Sequence, residues 1–211
     1  MDIVLLGPPG AGKGTQAQRL SAALAVPQIA TGDVLRAAIR DGTARGKEAK
    51  AYMDRGDLVP DEVILAIMKE ALSAPAARKG SILDGVVRTL PQAEGLKRVL
   101  GELGRKVDSV LFFEVPDSEL LKRLGGRTVC ENCQTPYTGR EPGERCEKCG
   151  GTLVRRKDDE PEAIRQRLAV YQKQTSPVLE WYRKNGGSVR TIDAVGAQDE
   201  VTQRALKAIG R

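Results

Sequence analysis

The chain has 211 residues, 34 Lys and Arg against 28 Asp and Glu, a formal net charge of +6 and no histidine. Histidine acid–base chemistry and histidine metal ligation are therefore excluded, and with aromatics at 3% the core must be aliphatic. No apolar run approaches the ~18 residues of a membrane span, and the N-terminus lacks a basic start followed by an apolar stretch, so a cytoplasmic protein of one domain, with or without an insertion, is expected.

The first element is the apolar run Ile3–Leu6, read as a buried strand. Gly-Pro-Pro-Gly-Ala-Gly-Lys-Gly-Thr follows at 7–15. Glycines at this spacing let successive backbone N–H groups converge on one anion. Lys13 adds a charge that can reach the β- and γ-phosphates. The amphipathic segment Gln16–Leu24 then supplies a helix whose positive end faces the same point. Gly10, Ala11, Gly12, Lys13, Gly14 and Thr15 are thus candidates for binding a nucleoside triphosphate. A simple strand–helix turn is the competing reading, and the full Gly-x4-Gly-Lys spacing disfavours it. The motif departs from pattern in one respect, because Gly14 separates the lysine from the hydroxyl of Thr15.

Further strands are expected at Gln28–Ala30, Ser81–Asp84, Val110–Val115 and Ser188–Ile192. Between them, Val63, Ile64, Ile67, Met68, Ala71 and Leu72 recur with a helical period. Pro91 and Pro161 suit first helical turns, where the missing N–H costs nothing. The helix after Pro161 is expected to break near Pro177 and resume to about Lys184. Alternating strands and helices predict an α/β fold, a five-stranded parallel sheet with helices on both faces. Ligands bind such sheets beyond the carboxyl ends of the strands, where the glycine loop and Asp84 fall.

From about Gly126 to Lys157 the apolar period disappears, and an unsupported loop of that length is improbable in a compact domain. The chain's cysteines lie there as Cys130-x2-Cys133 and Cys146-x2-Cys149. Two such hooks read as one tetrahedral four-thiolate zinc site, and four protein ligands make the metal structural. Disulfides and unligated thiols are the alternatives; the compartment disfavours the first and the small polar segment the second. A ribbon on a basic chain also raises nucleic-acid binding. However, Glu131, Glu141, Glu144 and Glu147 interleave with the cations, and Tyr137 is the segment's lone aromatic, so neither a cationic stripe nor a stacking platform is present. Arg123 and Arg127 precede this flap; Arg156 and Arg167 follow it. Singly, each reads as a solvated surface arginine. Together, beside a phosphate loop, they suggest a lid that brings cations over phosphates.

These segments carry a resemblance that runs nearly end to end. Gly-Pro-Pro-Gly-Ala-Gly-Lys-Gly-Thr-Gln at 7–16, Thr-Gly-Asp-Val-Leu-Arg at 31–36, Leu-Asp-Gly at 83–85, Arg-Thr-x-Pro-Gln at 88–92 and Arg-Lys-Asp-Asp at 156–159 resemble the bacterial adenylate kinases of the zinc-containing, long-lid type. In that family Gly-Lys-Gly-Thr is the normal loop ending. The resemblance implies a P-loop core at 1–30, 61–125 and 159–211, a helical AMP-binding segment at 31–60 and a zinc-ribbon-like lid at 126–158. It implies the reversible reaction of ATP and AMP to two ADP with magnesium, in a monomer with neither nucleic acid nor membrane as partner. Lys13, Arg88, Arg123, Arg156 and Arg167 would be the catalytic cations, with Arg123 and Arg127 on the ATP side. Thr31, Arg36, Val59, Val63, Gly85, Arg88, Gln92, Arg156 and Arg167 would form the AMP side. Asp84, assisted by Asp33, would place magnesium through water, and Cys130, Cys133, Cys146 and Cys149 would hold zinc.

The chain departs from the family at Val86-Val87, where Phe-Pro is usual, and in the shorter separation of its cysteine pairs. A trans Val86–Val87 bond is expected, since a non-proline cis bond costs ~3–4 kcal/mol. Loss of an aromatic wall and a shifted Arg88 would weaken AMP binding, unless the neighbouring backbone compensates. A kinase for another monophosphate, UMP or CMP, is the runner-up; a zinc-ribbon protein that binds nucleotide or nucleic acid without kinase activity is the reading from another class.

Overall fold

The computed structural model describes residues 1–185 and 187–211. In chain order the strands are β1 (Asp2–Leu6), β2 (Gln28–Ala30), β3 (Ser81–Asp84), β4 (Val107–Glu114), β5 (Arg127–Cys130), β6 (Pro136–Thr138), β7 (Leu153–Val154) and β8 (Val189–Asp193). The α-helices are α1 (Lys13–Leu24), α2 (Thr31–Arg40), α3 (Ala44–Arg55), α4 (Asp61–Ser73), α5 (Leu90–Glu102), α6 (Asp117–Gly125), α7 (Pro161–Val170), α8 (Ser176–Lys184) and α9 (Gln198–Ala208). The five expected strands form one parallel sheet in the order β2-β3-β1-β4-β8. A three-stranded antiparallel sheet, β6-β5-β7, stands apart in the cysteine segment.

The alternation of side chains along a strand explains the layers. Val4 and Leu6 of β1 join Met68, Leu72, Leu96, Leu100, Val178 and Tyr182, so α4, α5 and α8 cover one face. Ile3 and Leu5 join Ala17, Leu20, Leu120, Val201 and Ala205, so α1, α6 and α9 cover the other. Each fully buried aliphatic side chain is worth roughly 1.5–3 kcal/mol, which lets a core with little aromatic content hold the sheet. Two smaller apolar clusters lie outside these layers. Leu35, Ala49, Val59, Ile64 and Ile67 tie α2 and α3 to α4. Cys130, Cys146 and Leu153, with Cys133 and Tyr137 against them, form the inside of the antiparallel sheet.

The interruption expected near Pro177 is present as a change of helix type, not a chain break, and the α-helix resumes to Lys184 as expected. Here α7 runs through a π-helical turn at Tyr171–Thr175 into α8, with Pro177 in its first turn. A π turn inserts one extra residue and loosens the backbone ladder locally. Pro177, which has no N–H to contribute, follows directly on that loosened turn. Among the described residues no helix is long and apolar enough to cross a membrane.

Candidate functional site

The site lies beyond the carboxyl ends of β1, β2, β3 and β8. The loop after β1 turns into α1 through Gly12, whose φ of 85° is left-handed and free of strain only for glycine. Lys13 Nζ donates to the carbonyls of Gly7 at 2.8 Å and Pro8 at 2.9 Å, which sets its charge over the loop. Burial pushes Lys13 down to about 8 against the attraction of Asp84, with Arg88, Arg167 and Arg127 pushing the same way. A Cβ at Gly14 would stand 3.3 Å from Asp84 Oδ2, a tight contact that favours glycine beside that carboxylate. Burial raises the Asp84 carboxyl, against the pull of Lys13.

A cavity of about 420 Å³ opens over this loop. Gly10 to Thr15 form its floor; Asp33 and Asp84 reach it from β2–α2 and β3; Arg123 and Arg127 reach it from α6 and β5. A smaller cavity lies beside it, walled by Thr31, Val59, Gly85 and Gln92. Arg36, Arg88, Arg156 and Arg167 line both cavities. Val63 does not line the smaller cavity; Ile64 does, and Val63 packs in the α2–α4 cluster instead. One residue is 100° of helical rotation, enough to exchange the two.

The arginines are held by acids, of which the sequence reading had given a role to Asp33 but not to Glu119, Asp158 or Asp159. Arg127 Nε donates to Asp159 Oδ2 at 2.7 Å, and its Nη2 pairs with Asp159 Oδ1. Arg167 Nη1 donates to Asp159 Oδ1 and to the Asp158 carbonyl, each at 2.7 Å. Arg156 embraces Asp158 through Nε at 2.9 Å and Nη2 at 2.5 Å. Arg36 pairs with Asp33, and Arg123 with Glu119 and the Ala194 carbonyl. Burial opposes ionisation of Asp158, but Arg156 and Arg167 outweigh it and hold its carboxyl well below the usual range. Burial presses Arg36 and Arg88 below their ordinary values, and Arg167 to about 10. Asp33, Asp158 and Asp159 hold Arg36, Arg127, Arg156 and Arg167 in place, and the N–H groups left over face cavities lined by several cations, an arrangement suited to anions.

The acceptor-side backbone is also braced. Gln92 Oε1 accepts from the Arg88 N–H at 2.7 Å, and Gln92 Nε2 donates to Asp61 Oδ1 at 2.7 Å. Asp61 also accepts from Thr89 at 2.9 Å, and Thr31 Oγ1 donates to the Gly85 carbonyl at 2.8 Å. Sequence reasoning missed Asp61, whose one available signal was its place in the first turn of a periodic helix. The peptide bonds of the described residues are all trans, Val86–Val87 included. Val86 and Val87 are 0% and 2% exposed and pack in the core cluster with Leu6 and Leu83. The expected aromatic wall is thus not a position on the smaller cavity. Arg88 is not displaced from it either, because Gln92, the Gly85 carbonyl and Thr175 hold its backbone and side chain in place.

In the antiparallel sheet the thiols of Cys130, Cys133, Cys146 and Cys149 lie within 4.8 Å of one another. Cys130–Cys149 at 3.4 Å and Cys133–Cys146 at 3.6 Å are too far apart for a covalent S–S bond of ~2.05 Å. They are close to the ~3.8 Å edge of a tetrahedron with ~2.3 Å metal–sulfur bonds. The Tyr137 hydroxyl, 3.1 Å from Cys146 Sγ, draws that thiol down to about 6. The Gly151 backbone favours ionisation of Cys149, but hydrogen bonds with Cys133 and Cys130 outweigh it and push Cys149 up to about 12. A central cation would let all four ionise together, so the donor set fits a soft, tetrahedral divalent metal.

A parallel sheet with a glycine-rich phosphate loop, two cavities that share arginines and an antiparallel segment carrying a four-cysteine cluster define a P-loop α/β protein of the nucleotide-kinase class. A family profile described as adenylate kinase matches residues 5–187. An adenylate kinase of Gemmatimonas aurantiaca is 65% identical over 211 residues, covering 99% of both chains. One of Syntrophobacter fumaroxidans is 47% identical over the whole of both chains, and one of Archaeoglobus fulgidus 50% identical over 99% of this chain and 100% of its own. The chain belongs to the adenylate kinase family.

Proposed function

We propose that the protein catalyses reversible phosphoryl transfer from ATP to AMP, giving two ADP. The observation that carries this is the pair of cavities meeting at Arg36, Arg88, Arg156 and Arg167. Two nucleotides seated in them would bring their phosphates to shared cations. The donor lies over Gly10–Thr15, with Lys13, Arg123 and Arg127 on its phosphates; the acceptor lies against Thr31, Val59, Gly85 and Gln92, with Arg36 and Arg88 on its phosphate. An acceptor phosphate oxygen attacks the γ-phosphorus, the bond to the β–γ bridging oxygen breaks, and ADP leaves from each side. Such a reaction needs positioning and charge more than proton transfer, and one arginine can supply roughly 10³–10⁵ in rate. Asp84, with Asp33, would hold magnesium through water, and the magnesium would neutralise donor phosphate charge.

Segments 31–60 and 126–158 act as flaps on a core made of 1–30, 61–125 and 159–211; the 126–158 segment has an apolar cluster of its own, whereas 31–60 packs on α4 of the core. Closing the flaps excludes water, which would otherwise accept the phosphoryl group. The cysteine cluster holds zinc as a structural staple. The protein acts as a monomer, and a reducing cytoplasm would keep the thiols available for metal. A coupled assay with magnesium and ATP, run over AMP, GMP, UMP and CMP, tests the reading. AMP is expected to be preferred by at least about tenfold in kcat/KM, a margin of ~1.4 kcal/mol. Preference for UMP or CMP would replace it with the runner-up, and no transfer to any monophosphate would overturn it.

A further inference from the structure

Gln134 stands apart in the backbone. Among the described residues, it and Ala25 are the non-glycines with positive φ. Ala25 is a helix C-cap, a usual place for such a conformation. Gln134, at φ 57°, directly follows Cys133 in the first hook. Glycine would close that turn without strain, so a glutamine there invites a reason on the side-chain side.

The side chain supplies one. Its Nε2 donates to the carbonyls of Cys130 at 3.2 Å and Glu131 at 3.0 Å, which fixes the carboxamide on the hook. Its Oε1 then accepts from Arg36 Nε at 3.2 Å, across the cleft on α2. Arg40, one turn further on, donates to the Glu131 carbonyl at 3.2 Å. The hook that carries two of the thiols therefore meets α2 at the arginine that lines both cavities. Asp33 pairs with Nη2 of Arg36 and Gln134 accepts from its Nε, so the two together hold one edge of the guanidinium and, among the described residues, leave Nη1 free. A guanidinium held at two of its nitrogens loses less rotamer freedom when an anion binds its remaining N–H groups. A neutral carboxamide orients that cation without cancelling its charge, which a carboxylate at the same place would do.

We propose that Gln134 is a positioning residue for the acceptor phosphate, aiming Arg36 when the cysteine-stapled flap closes on α2. This rests on the reading of Arg36 as an acceptor-phosphate ligand and deepens it. The test uses the full-length, metal-loaded protein with Gln134→Gly and Gln134→Ala. KM for AMP is expected to rise about 3–10-fold, the size of one ordinary hydrogen bond net of solvation, since Arg36 itself stays in place. KM for ATP and kcat should stay within about twofold. Gln134→Gly should melt no lower than the parent, because it removes the left-handed strain. A purely structural role predicts the reverse, with affinity and melting temperature falling together. In an Arg36→Lys background, Gln134→Gly should add less than about twofold, because its target is gone. An unchanged AMP KM, a matching rise in ATP KM, or a full effect in the Arg36→Lys background would overturn the proposal. Absence of AMP phosphorylation by the parent protein would instead remove the functional reading on which it stands.

Discussion

Lys13 is where a single side chain most directly sets behaviour. Its pKa falls from 10.5 to about 8 because burial disfavours the ammonium. The sign for stability follows: a buried cation penalises folding at neutral pH, and the penalty is relieved as pH rises from about 8 towards 10.5. The sign for binding is opposite, since the neutral amine no longer attracts phosphate. The pH profile of kcat/KM for ATP should therefore fall on the alkaline side with a midpoint near 8. Lys13→Arg should lack that limb, whatever its overall rate, and a limb that persists in the variant would assign the titration elsewhere. Two other residues show how far reading by type extends. Gly14, off-pattern for the general motif, leaves room beside the Asp84 carboxylate. Val63 and Ile64 are chemically alike, so composition could not choose between them, and only the phase of α4 places Ile64 on the cavity.

At the scale of the element, the π turn between α7 and α8 carries more than its length suggests. Thr175 within it donates to the Arg88 carbonyl at 2.9 Å. The turn thus reaches the segment where Val86-Val87 stands, and it braces the arginine that follows. Thr175→Val keeps the shape and removes the hydroxyl. One such bond is worth about 0.5–1.5 kcal/mol, so kcat/KM for AMP should fall roughly 2–10-fold. KM for ATP should hold, and equal loss on both substrates would point to general misfolding of the turn. The break expected at Pro177 came from proline's rule alone. The structure accommodates the proline by changing helix type one turn earlier, and no residue pattern in Tyr171–Thr175 announces that.

Across the whole molecule, the proposed zinc staple would decide the stability of the 126–158 segment. Its apolar interior consists of Cys130, Cys146 and Leu153 with Cys133 and Tyr137 against them, too little to fold a segment of this length by burial alone. Stripping the metal with a chelator, thiols kept reduced, should lower Tm by roughly 5–15 °C, since each kcal/mol lost moves Tm by about 2–4 °C at this chain size. Single-turnover transfer well below Tm should change far less. An unchanged Tm after metal removal, confirmed by metal analysis, would show that the cluster does not hold the flap. Much of this architecture was legible in the residues. Strand–loop–helix order, the phosphate loop and the two cysteine hooks are local patterns, and each follows from backbone conformation or ligand spacing over a few residues. The parallel sheet followed from their alternation. What the tertiary structure alone decided is relational. It placed Asp158 and Asp159 among Arg127, Arg156 and Arg167, put Asp61 behind Gln92, buried Val86 and Val87 in the core, and brought Gln134 across the cleft to Arg36. Arg127 with Asp159, Asp61 with Gln92 and Gln134 with Arg36 lie far apart along the chain, and even the near pair Arg156–Asp158 takes its strength from burial, which no single segment encodes.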